Sequence, residues 1–339
     1  MRTTTVSLED LRSVIARALR LHGASEPVAE HVAEALGRAE QRGNTHCGLR
    51  HLEHDCAQLM SGRVLGTVTP AIHGPRPGLI HVDAKNGFAQ PAFALGLPDA
   101  LSAARTLGVA VLAISKAYTC AALGYFPERI AQHGFIGVAF TTASARVAAP
   151  GGSKRVLGTN PMAMSVPDGK GAIAFQFDQC TSAANLRHVR EAAARGAPIP
   201  GGWAVSPNGH PTTDALEALA GALLPAGGSR GFGIGLMAEV LGSFFTHSAM
   251  SLDTENLQSP SGPPHGIGIF CLLLDPEAIA GAHFWSKLDR LKDAILSEPG
   301  TRLPGTGREA QPSITVEVDA WERAQSLAQS QIGGRVIAL

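Results

Sequence analysis

Gly227-Gly228-Ser229-Arg230-Gly231-Phe232-Gly233-Ile234-Gly235-Leu236-Met237-Ala238 is the stretch on which the fold turns. Its second half, Gly233 to Ala238, satisfies a relaxed GxGxxA dinucleotide fingerprint. In that fingerprint a strand runs directly into the glycines, so that the backbone can approach a pyrophosphate at a helix N-terminus. Here Pro225-Ala226-Gly227-Gly228-Ser229 stands where the strand should be. A Rossmann unit is therefore rejected. What remains is a glycine-rich loop with Arg230 that enters a very apolar helix over 234–245, a start that could hold phosphate. Close packing of a buried helix explains Gly233 and Gly235 better than it explains Arg230.

Outward from this loop, helix and strand take turns, which argues for an α/β core. A helical stretch from Pro98 to Leu107 precedes a strand from Val109 to Ile114, and a helix near 121–132 precedes one from Ile136 to Thr141. Phe175 to Asp178 reads as a strand with a helix after it to about Arg195, and 267–274 as a buried strand. The first sixty residues read as helices. Ser7 with Asp10 makes a capping pair, Gly23 stops the first helix, Pro27 starts the second, and Asn44 or Thr45 caps a third. A short strand sits at Leu79 to Val82, the tail holds a strand from Ile314 to Val318 and a last helix, and 250–265 and 299–312 are loops.

The 339 residues are 45% hydrophobic and 17% charged, enough for about two domains and too apolar for a disordered chain. With 28 basic and 28 acidic side chains there is no basic excess of the kind nucleic-acid binders show. No apolar run has membrane-spanning length, and Glu9, Asp10 and Arg12 interrupt anything like a secretory signal. Five cysteines without a CxxC read as reduced thiols of a cytoplasmic enzyme.

The chemistry concentrates in Arg42-Gly43-Asn44-Thr45-His46-Cys47-Gly48-Leu49-Arg50. If a helix starts here, His46 and Arg50 share one face. Imidazole exchanges a proton near neutrality, guanidinium offers a fork for a carboxylate, and the Thr45 hydroxyl could orient the ring. The pair suits a small carboxylate that gains or loses a proton, and equally a surface His and Arg at a helix start. Gly158-Thr159-Asn160-Pro161 reads as a tight turn with exposed amides and a hydroxyl, or as an ordinary turn. His46, Cys47, His51 and His54 look ligand-rich, but 51 and 54 fall on another helical face from 47, and no HExxH is present, so no metal is expected. GxSxG is absent, and Trp203 reads as structural.

Taken in order, several segments resemble the malate/L-lactate dehydrogenase family of the non-Rossmann type over nearly the whole chain. They are Arg42 to Arg50, Val156 to Pro161 with Pro167, Asp178 with Thr181-Ser182, Pro198 to Ala204, Gly209 with Pro211 to Asp214, Leu223 to Pro225 with Gly227-Gly228, and Arg302 to Gly305. The family includes ureidoglycolate, sulfolactate and diketogulonate oxidoreductases and the reductases of Δ1-piperideine-2-carboxylate and Δ1-pyrroline-2-carboxylate. The resemblance implies an unusual α/β fold, a homodimer, and hydride transfer with NADH or NADPH. It implies His46 as proton donor oriented by Thr45, and Arg50 and Thr159 as substrate contacts. It also implies a cofactor lining of Thr119, Cys120, Ala121, Ala122, Leu123, Phe177, Asp178, Thr181, Ser229, Arg230, Arg302, Pro304 and Gly305. The expected division is a helical substrate and dimerisation unit, 1–120 with 291–339, and an NAD(P)-binding α/β unit, 121–290.

Three positions depart from the family's pattern. Thr119 stands where one branch has a catalytic His, His188 where the imine-reductase branch completes a relay with Asp, and Arg230-Gly231-Phe232-Gly233 where Lys-Gly-Tyr-Gly is usual. A second imidazole cannot supply the Asp charge, so a relay through His188 is doubtful. A cyclic imine is basic enough to arrive protonated and needs a tuned acid less than a ketone does. The reading is therefore reduction of C2 in a 2-imino or 2-oxo carboxylate, leaning to the pyrroline and piperideine substrates and hence to L-proline and L-pipecolate. The alternatives are a malate- or lactate-type 2-hydroxyacid dehydrogenase and a non-catalytic paralogue that binds nucleotide or acid.

Overall fold

The computed structural model describes residues 2–257, 259, 261–306 and 311–329. Ser7 caps the first helix, Leu8–Leu21, as expected: its hydroxyl accepts the Asp10 N–H at 2.9 Å and donates to the Asp10 carboxylate at 2.6 Å. Gly23 follows with φ +110°, and Pro27 lies in the first turn of Glu26–Gln41. The third helix does not begin at Asn44 or Thr45. A single 3₁₀ turn, Thr45–Cys47, comes first, and the α-helix Leu49–Ser61 starts after Gly48. Buried Glu40 makes the break. Its carboxylate accepts the Leu49 N–H at 2.9 Å, capping the new helix, and lies where a side chain at position 48 would project.

These helices share a core with the end of the chain, in which Leu11, Ile15, Leu36 and Leu52 meet Val316, Ala320 and Ala324. Thr3–Ser7 pairs antiparallel with Ser313–Glu317, and the helix Val318–Leu327 follows. The strand Thr3–Ser7 lies inside the region read as helical, because its partner is some three hundred residues away and local periodicity does not carry that information. Residues 330–339 of the unit expected from 1–120 and 291–339 lie outside the described residues.

The main sheet has seven strands in the order Ala71–Arg76, Leu79–Asp83, Val109–Ala117, Ile267–Leu274, Ile136–Thr141, Met162–Pro167, Ile173–Gln179. Only Leu79–Asp83 and Val109–Ala117 pair in parallel, the helix Ala89–Leu107 forming their crossover. The sheet contains strands from both sides of residue 120, so the division expected there runs through it. Ile269, Cys271 and Leu273 of the central strand pack in one core with Leu97 and Phe126, from the helices Ala89–Leu107 and Tyr125–Ala131. Phe270 and Leu272 meet Ala238 and Leu241 on the other face. A second sheet of two- and three-residue strands (Pro211–Thr212, Ala204–Val205, Ala222–Leu223, Val147–Ala148, Arg155–Leu157) is too short to show a period in sequence.

The opening stretch is no Rossmann element. Gly227 and Gly228 take positive φ, and the helix Ser229–Glu239 continues into a π turn, Val240–Phe244. The expectation that this helix is buried holds on one side only. A Cβ on Gly235 would press on Thr181 and Leu157, whereas Gly233 faces open space and Ile234, Leu236, Met237, Val240, Phe244 and Phe245 are exposed. The helix covers one face of the sheet and presents a second apolar face outward. Among the described residues no helix is long and apolar enough to cross a membrane.

Replacing Gly48 with Ala should displace Glu40 and uncap Leu49–Ser61. The expected cost is about 1–3 kcal/mol in urea unfolding, with a lowered melting temperature.

Candidate active site

One end of the seven-stranded sheet opens into a cleft of about 770 Å³. Val109–Ala117, Ile136–Thr141 and Ile173–Gln179 finish there and Ile267–Leu274 begins, so that Thr119 to Leu123, Thr141 to Ala143, Asp178 to Cys180 and Ile267 line it. The turn carrying His46 and the helix Leu186–Ala194 complete the walls. A pocket of about 320 Å³ adjoins it, sharing Asn44, Ala122 and Asp178 and adding Arg42, Gln176 and Gly305.

The loop after Val109–Ala117 is held at both polar atoms of Gly124. Its N–H donates to Asp178 Oδ2 at 2.8 Å, and its carbonyl accepts Gln176 Nε2 at 2.9 Å. Burial pushes the Asp178 carboxyl up from its ordinary range despite the Gly124 hydrogen bond. Within the loop, Thr119 Oγ1 accepts the Ala121 N–H at 3.3 Å and Ala121 adopts φ +54°. The Gln176 N–H donates to Pro304 O at 2.9 Å and Arg42 donates to Gly305 O at 2.8 Å, seating the 302–305 loop beside the smaller pocket.

Thr159 reaches the cleft from a turn that is not the exposed one expected. Asn160 is wholly buried at φ +29°. Its amide donates to Glu239 Oε2 at 2.7 Å and Gly235 O at 3.1 Å, and its Oδ1 accepts from Ala143 and Ser251. A buried carboxylate seventy-nine residues away, with no local signal, locks the turn.

His46 lies on the cleft wall with its pKa lowered, by burial first and then by the charges of Arg187 and Arg50; Glu191 and Glu317 oppose them. Arg50 is thus within electrostatic reach, but not on a shared helical face. Gly48 separates the two, Arg50 pairs with Glu317, and Arg50 is not among the lining residues. The helical-face reasoning about cysteine and histidine fails at the same break, because His51 joins His46 and Cys47 in the cleft. Among the described residues no three His, Cys, Asp or Glu side chains are arranged to hold a metal ion.

The cleft therefore gathers His46, Thr119, Cys120, Ala121, Ala122, Leu123, Thr159, Asp178 and His188. Thr45, Arg50, Phe177, Thr181, Ser229, Arg230, Arg302 and Pro304 do not line it, and Gly305 lines the adjoining pocket. Thr181 is fixed behind Thr159, donating from N and Oγ1 to its carbonyl at 3.0 and 3.1 Å. Ser229 and Arg230 sit at the exposed start of their helix. His188 stacks on Trp203 with ring centroids 6.2 Å apart, so Trp203 belongs to the cleft as well as to the scaffold. Sequence reading overlooked Arg187, Arg190 and Glu191, and set His51 aside as lying on another face. The helix Leu186–Ala194 was anticipated, and the period of its charged side chains was the signal that could have placed them on one wall.

The malate/L-lactate dehydrogenase family model matches residues 6–313. The chain belongs to that family. It is an oxidoreductase. Its similarity to a Δ1-pyrroline-2-carboxylate/Δ1-piperideine-2-carboxylate reductase of Pseudomonas aeruginosa is 35% identity over 89% of this chain and 91% of the relative. A (2R)-3-sulfolactate dehydrogenase (NADP(+)) of Chromohalobacter salexigens is 33% identical over 90% and 91%. The crystal structure of the Δ1-piperideine-2-carboxylate reductase of Pseudomonas syringae superposes with a TM-score of 0.88 at 31% identity, covering 96% of this chain and 99% of that one.

Asp178→Ala leaves the Gly124 N–H without its acceptor, a loss of about 1–3 kcal/mol. Gly124 amide exchange should accelerate at least tenfold, while Asp178→Asn, which keeps an acceptor oxygen, should stay near the parent.

Proposed function

We propose that this protein is an NAD(P)H-dependent reductase of C2 in a small 2-imino or 2-oxo carboxylate, with Δ1-pyrroline-2-carboxylate and Δ1-piperideine-2-carboxylate as its substrates and L-proline and L-pipecolate as products. The observation that carries the reading is a titratable imidazole, His46, on a cleft wall under the influence of two guanidiniums and facing a backbone loop clamped by Asp178. The names of the relatives favour imine substrates, and the sulfolactate dehydrogenase favours, more weakly, a 2-hydroxyacid reaction on the same machinery.

The cleft suits a polar, extended ligand. Thr142 Oγ1 is buried there without a hydrogen-bond partner, and Gln176 Oε1 is in the same condition in the adjoining pocket. Thr119 to Leu123, Asp178 and the 302–305 loop would hold the cofactor, with Phe177 and Thr181 behind them. Ser229 and Arg230 stand outside the lining, at the exposed start of their helix. When bound, the nicotinamide supplies hydride for C2. His46 would deliver the proton to the oxygen of a 2-oxo acid, or to the nitrogen of an imine that arrives unprotonated, while Thr159 on the lining and Arg50 from outside it would orient the carboxylate and the reacting carbon. Glu317 holds the Arg50 guanidinium in place. The exposed apolar face of Ile234, Met237, Val240, Phe244 and Phe245 supports a homodimer.

The test is a panel of pyrroline-2-carboxylate, piperideine-2-carboxylate, pyruvate and oxaloacetate with each cofactor, followed at the nicotinamide absorbance; no turnover on any of them defeats the reading. On a 2-oxo acid His46→Gln should lower kcat about 10²–10⁴-fold, and less on a cyclic imine that arrives protonated. Arg50→Ala should raise KM about 10–100-fold, more than it lowers kcat. A donor must be protonated and His46 sits below its ordinary 6.5, so kcat/KM on a 2-oxo acid should fall as pH rises, starting below 6.5. Arg187→Ala, which removes a charge that opposes protonation, should move that limb to higher pH.

A further inference from the structure

Beside the cleft lies a further cavity of about 210 Å³ lined by Arg146, Arg155 and Arg190, with Leu186, Leu223 and Asn256 among its other walls. No Asp or Glu lines it. Arg146 directly precedes the strand Val147–Ala148, Arg155 opens the neighbouring antiparallel strand Arg155–Leu157, and Arg190 comes from the helix Leu186–Ala194. Two strands and a helix therefore bring three like charges to one hollow. Arg155 is anchored: its Nε donates to Gly221 O at 2.6 Å and its Nη2 to Leu219 O and Ala220 O at 2.8 and 2.9 Å. Among the described residues the side chains of Arg146 and Arg190 have neither hydrogen bond nor ion pair. The acids close by in sequence are engaged elsewhere, Glu191 with Arg187 and Glu217 with the Thr212 hydroxyl.

Such an arrangement opposes folding. Burial, and after it the charges of Arg155 and Arg190, lower the pKa of Arg146. A cluster that lowers stability without an internal partner fits an external anion. The forks of Arg146 and Arg190, with the remaining Nη1 of Arg155, exceed what one carboxylate can accept, whereas a phosphate offers three or four oxygens and up to two negative charges. Arg190 also lines the large cleft, so one side chain borders both the hollow and the site that would hold a nucleotide.

We propose that Arg146, Arg155 and Arg190 form an anion site for a phosphate group, carried by the nicotinamide nucleotide or free in solution. The nucleotide source rests on the functional reading above; the site itself does not.

The test titrates inorganic phosphate, NADPH and NADH into the full chain and into Arg146→Met and Arg190→Met, by calorimetry at low ionic strength. The occupant should bind at least tenfold more weakly to each variant. A loss for NADPH alone identifies the 2′-phosphate, an equal loss for both nucleotides the diphosphate, and a loss for inorganic phosphate alone a free anion. Binding of phosphate but of neither nucleotide by the parent protein would refute the nucleotide reading while leaving the site standing. Unchanged affinities for all three ligands, or no binding of any to the parent, overturn the proposal. Without ligand both variants should melt at or above the parent temperature, because a repulsion has been removed; a lowered melting temperature in both would make the arginines structural and overturn it too.

Discussion

The strand Ile267–Leu274 is apolar on both faces and lies in the middle of a seven-stranded sheet, so the protein must cover that sheet twice. At roughly 25 cal/mol per Å² of apolar surface, leaving either face wet would be ruinous for a fold whose net stability is about 5–15 kcal/mol. The helices Ala89–Leu107 and Tyr125–Ala131 cover one side and the helix starting at Ser229 the other. The cover on the second side is a single helix thick. Its inner residues, Ala238 and Leu241, meet Phe270 and Leu272, while its outer ones form the exposed apolar face.

The same sheet places the chemistry. Mostly antiparallel pairing brings the ends of some strands and the beginnings of others to one edge, and the loops leaving that edge are where backbone polar groups can face a ligand. Asp178 and Gln176, on the last strand, reach across to hold Gly124, and buried Asn160 holds the turn that presents Thr159. Electrostatics then favour an anion. Burial and then Arg187 and Arg50 lower the His46 pKa, Asp178 is kept toward its neutral form by burial, and Glu191 and Glu317 are paired with Arg187 and Arg50.

Patterns with short range were legible. The Ser7 cap and the strand 267–274 depend on neighbours in sequence, and the structure agrees with each. The shared face of His46 and Arg50 failed because helix continuity at Gly48 is decided by Glu40, eight residues back on another helix. The apolar helix from Ser229 was read as buried because composition reports how apolar a helix is, not how many of its sides are covered by its own chain. Arg146 and Arg155 gave no signal, since strands of two or three residues have no period.

The amino-acid sequence alone determined the family, the non-Rossmann character and the presence of His46 among residues suited to proton transfer. Each of these resides in residue identity and order along the chain. Only the tertiary structure decided that His51, Arg187 and Trp203 share the cleft with His46, that Arg50 stands behind it against Glu317, and that three arginines meet without an acid. Apart from His51, which is near His46 in sequence, those are facts about proximity between segments far apart in the chain, and proximity is set by which apolar faces must be buried against each other, a quantity summed over the whole chain.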